Sequence, residues 1–331
     1  MSMKKIKKDI EAISPVVATL MLVLVAVASV TAFYVFQSNW QAEQAKNVDN
    51  VDIDSGSPFS IDIAGSSTVY EFMVPAAEAY MDKYAQATVT VSSIGSGAGK
   101  NAIIAGQTDM GTMSKAWTTT DSTTYPTIVA TTIAYDGVVV VIGDKAVAEH
   151  DMTPAMLEAL EAVDMQALYN TGMTWGEFKF ALDGTYAVGT DAEDIDPVVC
   201  YERADESGTE DGFKDLILGK GNPCNSDASA TGNQGMIDAI AADADGIGFT
   251  SYGMAKANDS MNMFELDGVA CTAANIKAEM ISGNGYDASR PLVVLTQEDA
   301  NEYVQNFLEF ILEAGNNVEF CADGGFVSLY A

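Results

Sequence analysis

The chain has 331 residues, 48% of them hydrophobic, with 16 basic groups against 47 acidic ones, a single histidine and a formal charge of −31. That length exceeds what one hydrophobic core usually organises, so two lobes and an appendage are expected. Beyond residue 50 the chain carries 11 basic and 43 acidic groups, a net of −32, which excludes nucleic acid and anionic membrane surfaces as partners of this body.

Lys4, Lys5, Lys7 and Lys8 precede residues 13–36, a run of 24 without a charge. At about 1.5 Å per residue such a helix crosses a bilayer core of about 30 Å. The lysines predict a cytoplasmic N-terminus, a single-pass anchor in the cell membrane and an extracellular body after Trp40. A cleaved secretory signal is the alternative, with Val30-Thr31-Ala32 as its site. Residues 37–57 are polar and read as a linker.

From residue 60 the pattern alternates. A short strand (60–64) leads to an amphipathic helix ending near Tyr84, then a strand (87–92), a helix (101–105) and a long apolar strand (131–142). Alternation of this kind predicts an α/β fold with a mostly parallel sheet. Residues 152–170 have helical spacing, and an acidic Gly-containing stretch (183–196) leads to an apolar strand that includes Val198 and Val199. A helix (232–241), a strand (246–252), a further strand (291–296), a helix (298–313) and a last strand (326–329) complete the chain.

Three strand-to-helix turns are rich in Gly, Ser and Thr. They are Ile63-Ala64-Gly65-Ser66-Ser67-Thr68-Val69-Tyr70, Ser92-Ser93-Ile94-Gly95-Ser96-Gly97-Ala98-Gly99-Lys100, and Arg203-Ala204-Asp205-Glu206-Ser207-Gly208-Thr209. A helix N-terminus offers unpaired N–H groups and partial positive charge, and hydroxyls and a guanidinium add donors. Together they describe a site for an oxyanion. The second turn is one residue short of a Walker A loop, and Asn101 stands where its Ser or Thr belongs, so that match fails.

Those three motifs, with Thr108-Asp109-Met110-Gly111, Ala134-Tyr135-Asp136-Gly137, Gly246-Ile247-Gly248-Phe249-Thr250-Ser251-Tyr252 and Ser289-Arg290-Pro291-Leu292, occur in an order that resembles the phosphate-binding proteins of phosphate ABC transporters. The resemblance covers residues 60–329. It implies an α/β, two-lobe, type II periplasmic-binding-protein-like fold, here preceded by one N-terminal transmembrane helix. It further implies lobe 1 from residues 58–143 and 256–331 and lobe 2 from 144–255, with no enzymatic activity and no cofactor. Inorganic phosphate would be the ligand, held in the interlobe cleft and passed to ABC transporter permease subunits. The ligands it implies are Thr68 with the Val69 backbone, Ser96, Asp109, Arg203, Ser207, Gly208 and Thr209, with Ser67 beside them. Glu71 departs from the family pattern, placing a carboxylate one turn into the first helix, where it is expected to face solvent.

Ala12-Ile13-Ser14-Pro15-Val16-Val17 resembles the start of archaeal type IV pilin-like proteins. That implies removal of the basic leader after Ala12 and, as an alternative function, a surface filament subunit that self-associates. Four cysteines in an exported chain, Cys200, Cys224, Cys271 and Cys321, point to two disulfides with three pairings open. With the lobes as implied, bridges within lobes give Cys200–Cys224 and Cys271–Cys321. His150 is expected at the surface and Trp175 in the packing. Neither a metal-loop spacing nor a catalytic base set is present in the sequence.

Overall fold

Alternate apolar residues, Ile61 and Ile63 then Val89 and Val91, set the first two strands, β1 (Phe59–Gly65) and β2 (Ala87–Ser93), which pair in parallel. The computed structural model describes residues 57–330 apart from Thr190 and Glu206. The helix Ser67–Lys83 connects the two strands, and β3 (Met110–Met113) lies parallel to β1 on its other side. The remaining strands are β4 (Ile128–Gly143), β5 (Val199–Arg203), β6 (Ala228–Ala230), β7 (Gly246–Ser251), β8 (Met261–Met263), β9 (Ser289–Gln297) and β10 (Val327–Ser328). Their order is β2-β1-β3-β9-β4-β7-β5-β6, with β8 and β10 also on β4.

The expected mostly parallel sheet is corrected to a mixed one. β1–β2, β1–β3, β5–β6 and β5–β7 are parallel, but every partner of β4 and the β3–β9 pair are antiparallel. β4 is long enough to serve both halves. Its residues 128–137 pair with β9, and 138–143 with β7 and β8.

Period-two alternation also explains the cores. Leu292 and Val294 of β9 face one cluster with Ile61, Phe72, Tyr80 and Phe307. Val293 and Leu295 face a smaller one with Ile103 and Met113. A separate and larger cluster draws on residues from Val138 to Ala288 together with Val327, and includes Trp175, Phe178, Phe213 and Phe249. The division differs from the expected boundary at residue 256. Phe264, Leu266, Ile276 and Tyr286 pack in the larger cluster, and the chain rejoins the first core only at Leu292.

Several elements depart from expectation for local reasons. The second turn becomes helical at once, as Ser96–Ile104, because Gly95 takes φ 86° and opens it. Residues 152–170 split into Pro154–Leu157 and Ala162–Thr171, each with its own cap. The expected tail helix is Glu302–Leu312, followed by an unforeseen Ala314–Gly324 after extended backbone at Glu313. Ala273–Ser282 forms a further helix, capped by Thr272. The acidic stretch folds back around a buried cation, Lys179 Nζ, which lies 2.9 Å from Asp194 and 3.3 Å from Asp191.

His150 is buried rather than at the surface, stacked on Trp175 with ring centroids 4.1 Å apart and bonded to Asp245 at 3.0 Å. The disulfide expectation is corrected as well, since all four cysteines are free thiols. Cys271 belongs to the larger core and Cys321 to the first. Burial pushes the Cys200 and Cys321 thiols up to about 12 and that of Cys224 to about 11, which keeps them protonated. Among the described residues no helix is long and apolar enough to cross a membrane. The leader, anchor and pilin-like expectations lie outside the described residues.

Candidate oxyanion-binding site

The first two turns end strands that run with β4 and the third ends β5, which runs against it, so the turns face one another across the middle of β4, and backbone bonds join the first two. The Gly65 carbonyl accepts from the N–H groups of both Ile94 and Gly95 at 2.9 Å, and Ser66 N–H donates to Thr112 O at 3.0 Å. Gly65 must be glycine here, because a Cβ would overlap the Thr112 backbone. Ser66 caps the helix Ser67–Lys83, its Oγ accepting from the N–H groups of Thr68 at 3.2 Å and Val69 at 3.3 Å. Ser207 does the same for Gly208–Gly212, accepting from Thr209 at 3.1 Å and Glu210 at 3.3 Å. The helix Ser96–Ile104 begins at Gly95 without a side-chain cap.

Above these turns the hydroxyls converge. Thr68 Oγ1 and Thr209 Oγ1 are 3.2 Å apart although 141 residues separate them in sequence. Arg290 binds both, its Nη2 donating to Thr209 Oγ1 at 3.0 Å and Thr68 Oγ1 at 3.3 Å, while Nη1 donates to the Gly208 carbonyl. The guanidinium occupies a lone pair on each hydroxyl and one hydroxyl can donate to the other, which leaves one hydroxyl proton to point elsewhere. Ser96 Oγ accepts from Ser114 N–H at 3.2 Å and lies 3.3 Å from Ser114 Oγ. Gly208 packs so closely on Ser114 that a Cβ would collide with its hydroxyl.

Arg290 is held from behind by Asp136, its register partner across β4 and β9, at 2.7 Å from Nη2 and 3.1 Å from Nε. Asp136 has no exposed surface. Burial pushes its carboxyl up, and the Arg290 guanidinium opposes that push. Arg203 is engaged differently. Its Nε and Nη2 form a fork on Asp205 at 2.9 and 2.7 Å, and Nη1 donates to Asn233 Oδ1 at 2.7 Å. Burial works against the Asp205 carboxylate, but the Arg203 fork and the Gly232 N–H outweigh it and hold its pKa low. Three of the five N–H donors of Arg203 are thereby occupied, leaving two.

Of the residues expected from the sequence, Thr68, Val69, Ser96, Ser207, Gly208 and Thr209 come together, with Arg203 beside them and Ser67 at the first turn. Asp109 does not. It precedes β3 at the end remote from the turns, beside the middle of β1, where its carboxylate accepts from Asp62 N–H at 2.8 Å. Ser114, just after β3, is the residue that reaches the turns, about 16 Å further along the extended chain. We expect Asp109→Asn to leave the ratio of phosphate to sulfate affinity within about twofold of wild type, since a half-exposed turn bond contributes only locally. A larger change by calorimetry would put Asp109 back in the site.

Sequence reasoning named Ser289-Arg290 as a landmark and gave Arg290 no role. The available signal was one charge in each of two apolar strands, Asp136 and Arg290, because buried charges occur paired. A cavity of about 190 Å³ opens beside the turns, lined by Ser96, Ser114, Lys115, Asp211, Leu216 and Arg290 among others. That is below the roughly 300–1,000 Å³ of pockets for drug-sized molecules.

Residues 41–314 match the PBP superfamily domain, and the chain belongs to that superfamily. Among solved structures it is similar to a Clostridium perfringens protein with bound phosphate, provisionally named as a phosphate ABC transporter substrate-binding protein. Identity is 23%, over 82% of this chain and 100% of that one, with a TM-score of 0.64. An ABC-type phosphate transport receptor from Vibrio cholerae aligns with 21% identity over 81% of this chain and 99% of that one, TM-score 0.63. PstS from Borrelia burgdorferi aligns with 17% identity over 81% and 98%, TM-score 0.55. At these identities the likeness is one of fold. No curated protein matches the chain.

Proposed function

We propose that this protein is a solute receptor that captures inorganic phosphate, without chemical transformation, and hands it to the permease subunits of an ABC transporter. The observation that carries the reading is the meeting of Thr68, Thr209 and Gly208 at the Arg290 guanidinium, with the Ser96–Ser114 pair alongside. The proposed ligands are the hydroxyls of Thr68, Ser96, Ser114 and Thr209, the N–H groups of the uncapped second turn, and the free donors of Arg203. A tetrahedral anion with four oxygens suits such a set of convergent donors. The small cavity and the phosphate-binding proteins of the same fold support the choice of phosphate.

In this reading the body works outside the cell, tethered by residues 13–36. The strongly acidic body repels an approaching anion, so added salt should speed phosphate association by screening that repulsion. Titration calorimetry with phosphate tests the assignment. Saturable one-to-one binding is expected, and a folded protein that releases no heat and gains no thermal stability with phosphate would refute it.

A further inference from the structure

Glu71 does not face solvent as expected. It stands three residues beyond Thr68 in the helix Ser67–Lys83, so the two side chains share a face. Its Oε1 accepts from Asn233 Nδ2 at 3.0 Å, and Asn233 Oδ1 accepts from Arg203 Nη1 at 2.7 Å. Charged groups act on it from three strands: Asp136 from β4, Arg203 from β5 and Arg290 from β9. The Gly208–Gly212 turn packs on the same helix and brings the Thr209 hydroxyl, while Gly324 lies against the Glu71 carbonyl. Burial, opposed by the Asn233 bond, pushes the Glu71 carboxyl up to about 7.

An ionised carboxylate offers only lone pairs and repels an anion, most strongly where water is scarce. A carboxylic acid in the same place donates a hydrogen bond. An arriving anion acts on Glu71 as Asp136 already does, favouring the protonated form. Resting on the oxyanion reading above, we infer that Glu71 is a ligand of this site that works as the carboxylic acid, so that anion capture draws one proton onto it. The proton comes from solvent and returns there when the anion leaves, with no covalent bond changed in the ligand.

The linkage has a definite sign. Below pH about 7 the acid form already dominates the free protein, and above it each binding event must supply the proton, so affinity falls as pH rises. Glu71→Gln keeps an oxygen for Asn233 and an N–H for the anion, but cannot titrate. With inorganic phosphate and the full-length protein, the ratio of wild-type to variant Kd should rise about thirtyfold between about pH 6 and about pH 8.5. Calorimetry of the wild type and variant in two buffers of different ionisation enthalpy isolates the proton itself. Near neutral pH the wild type should take up more protons per phosphate bound than the variant. If both bind phosphate with a pH-independent ratio and equal proton uptake, Glu71 is no proton-carrying ligand and the phosphate reading stands. If neither binds phosphate while folded, that reading fails and takes this inference with it.

Discussion

Arg290→Ala is expected to lower the melting temperature by on the order of 10 °C and to remove measurable phosphate binding. The loss of stability comes less from the missing bonds than from the group they leave behind. Asp136 has no exposed surface, and without Arg290 its carboxylate is a buried, unpaired charge that must take a proton or open the structure to water. Breaking such a pair costs about 3–5 kcal/mol, whereas replacing both members with neutral groups costs far less. The double variant Asp136→Asn, Arg290→Gln should therefore recover most of the melting temperature. Phosphate binding should stay weak in it, because the hydroxyls of Thr68 and Thr209 still lack their cation. A single variant that melts with the wild type would show that water reaches this pair.

Arg203→Ala should separate binding from folding. Its partner Asp205 is half-buried and can be rehydrated in place, so the fold should survive with a small loss of stability. Phosphate affinity should fall by about 2–5 kcal/mol, since the variant removes a cation beside the site and exposes the anion to the carboxylate that Arg203 had neutralised. The Asn233 amide also loses the donor that orients it toward Glu71. Calorimetry and thermal melts on the same preparation distinguish the outcomes. An affinity within twofold of wild type would place Arg203 in a purely structural role.

The contrast between the two arginines explains what the sequence could reveal. Arg203 sits in a turn whose Gly, Ser and Thr content advertises an anion, so local composition was enough to single it out. Arg290 derives its importance from a register, Asp136 opposite it across two strands 154 residues apart in sequence, and no local pattern carries that information. Asp109 shows the reverse error. The residue stands at the end of β3 remote from the turns, and only the direction of the strand decides which end meets them. Strand polarity misled in the same way over the sheet. Alternating strands and helices announce parallel pairs, as between β1, β2 and β3, yet β9 returns from a distant part of the chain to lie antiparallel between β3 and β4. Pairing the cysteines within lobes depends on where the chain divides, and Ile276 of Ala273–Ser282 packs with the larger core.

The partner exchange along β4 bears on how the molecule can move. Up to Gly137 this strand is laddered to β9, and from Val138 onward to β7 and β8. Stretching or shearing it would break several ladder bonds together, whereas flexing where the partners change breaks few. The four valines from 138 to 141 stiffen the C-terminal half of the strand through their restricted rotamers. The flexible point thus falls next to Gly137, where Cys271 Sγ and the Ile276 side chain leave no room for a Cβ. The strand is a beam shared by both halves, and the side chains of Cys271 and Ile276 are wedged against it at the residue where its partners change.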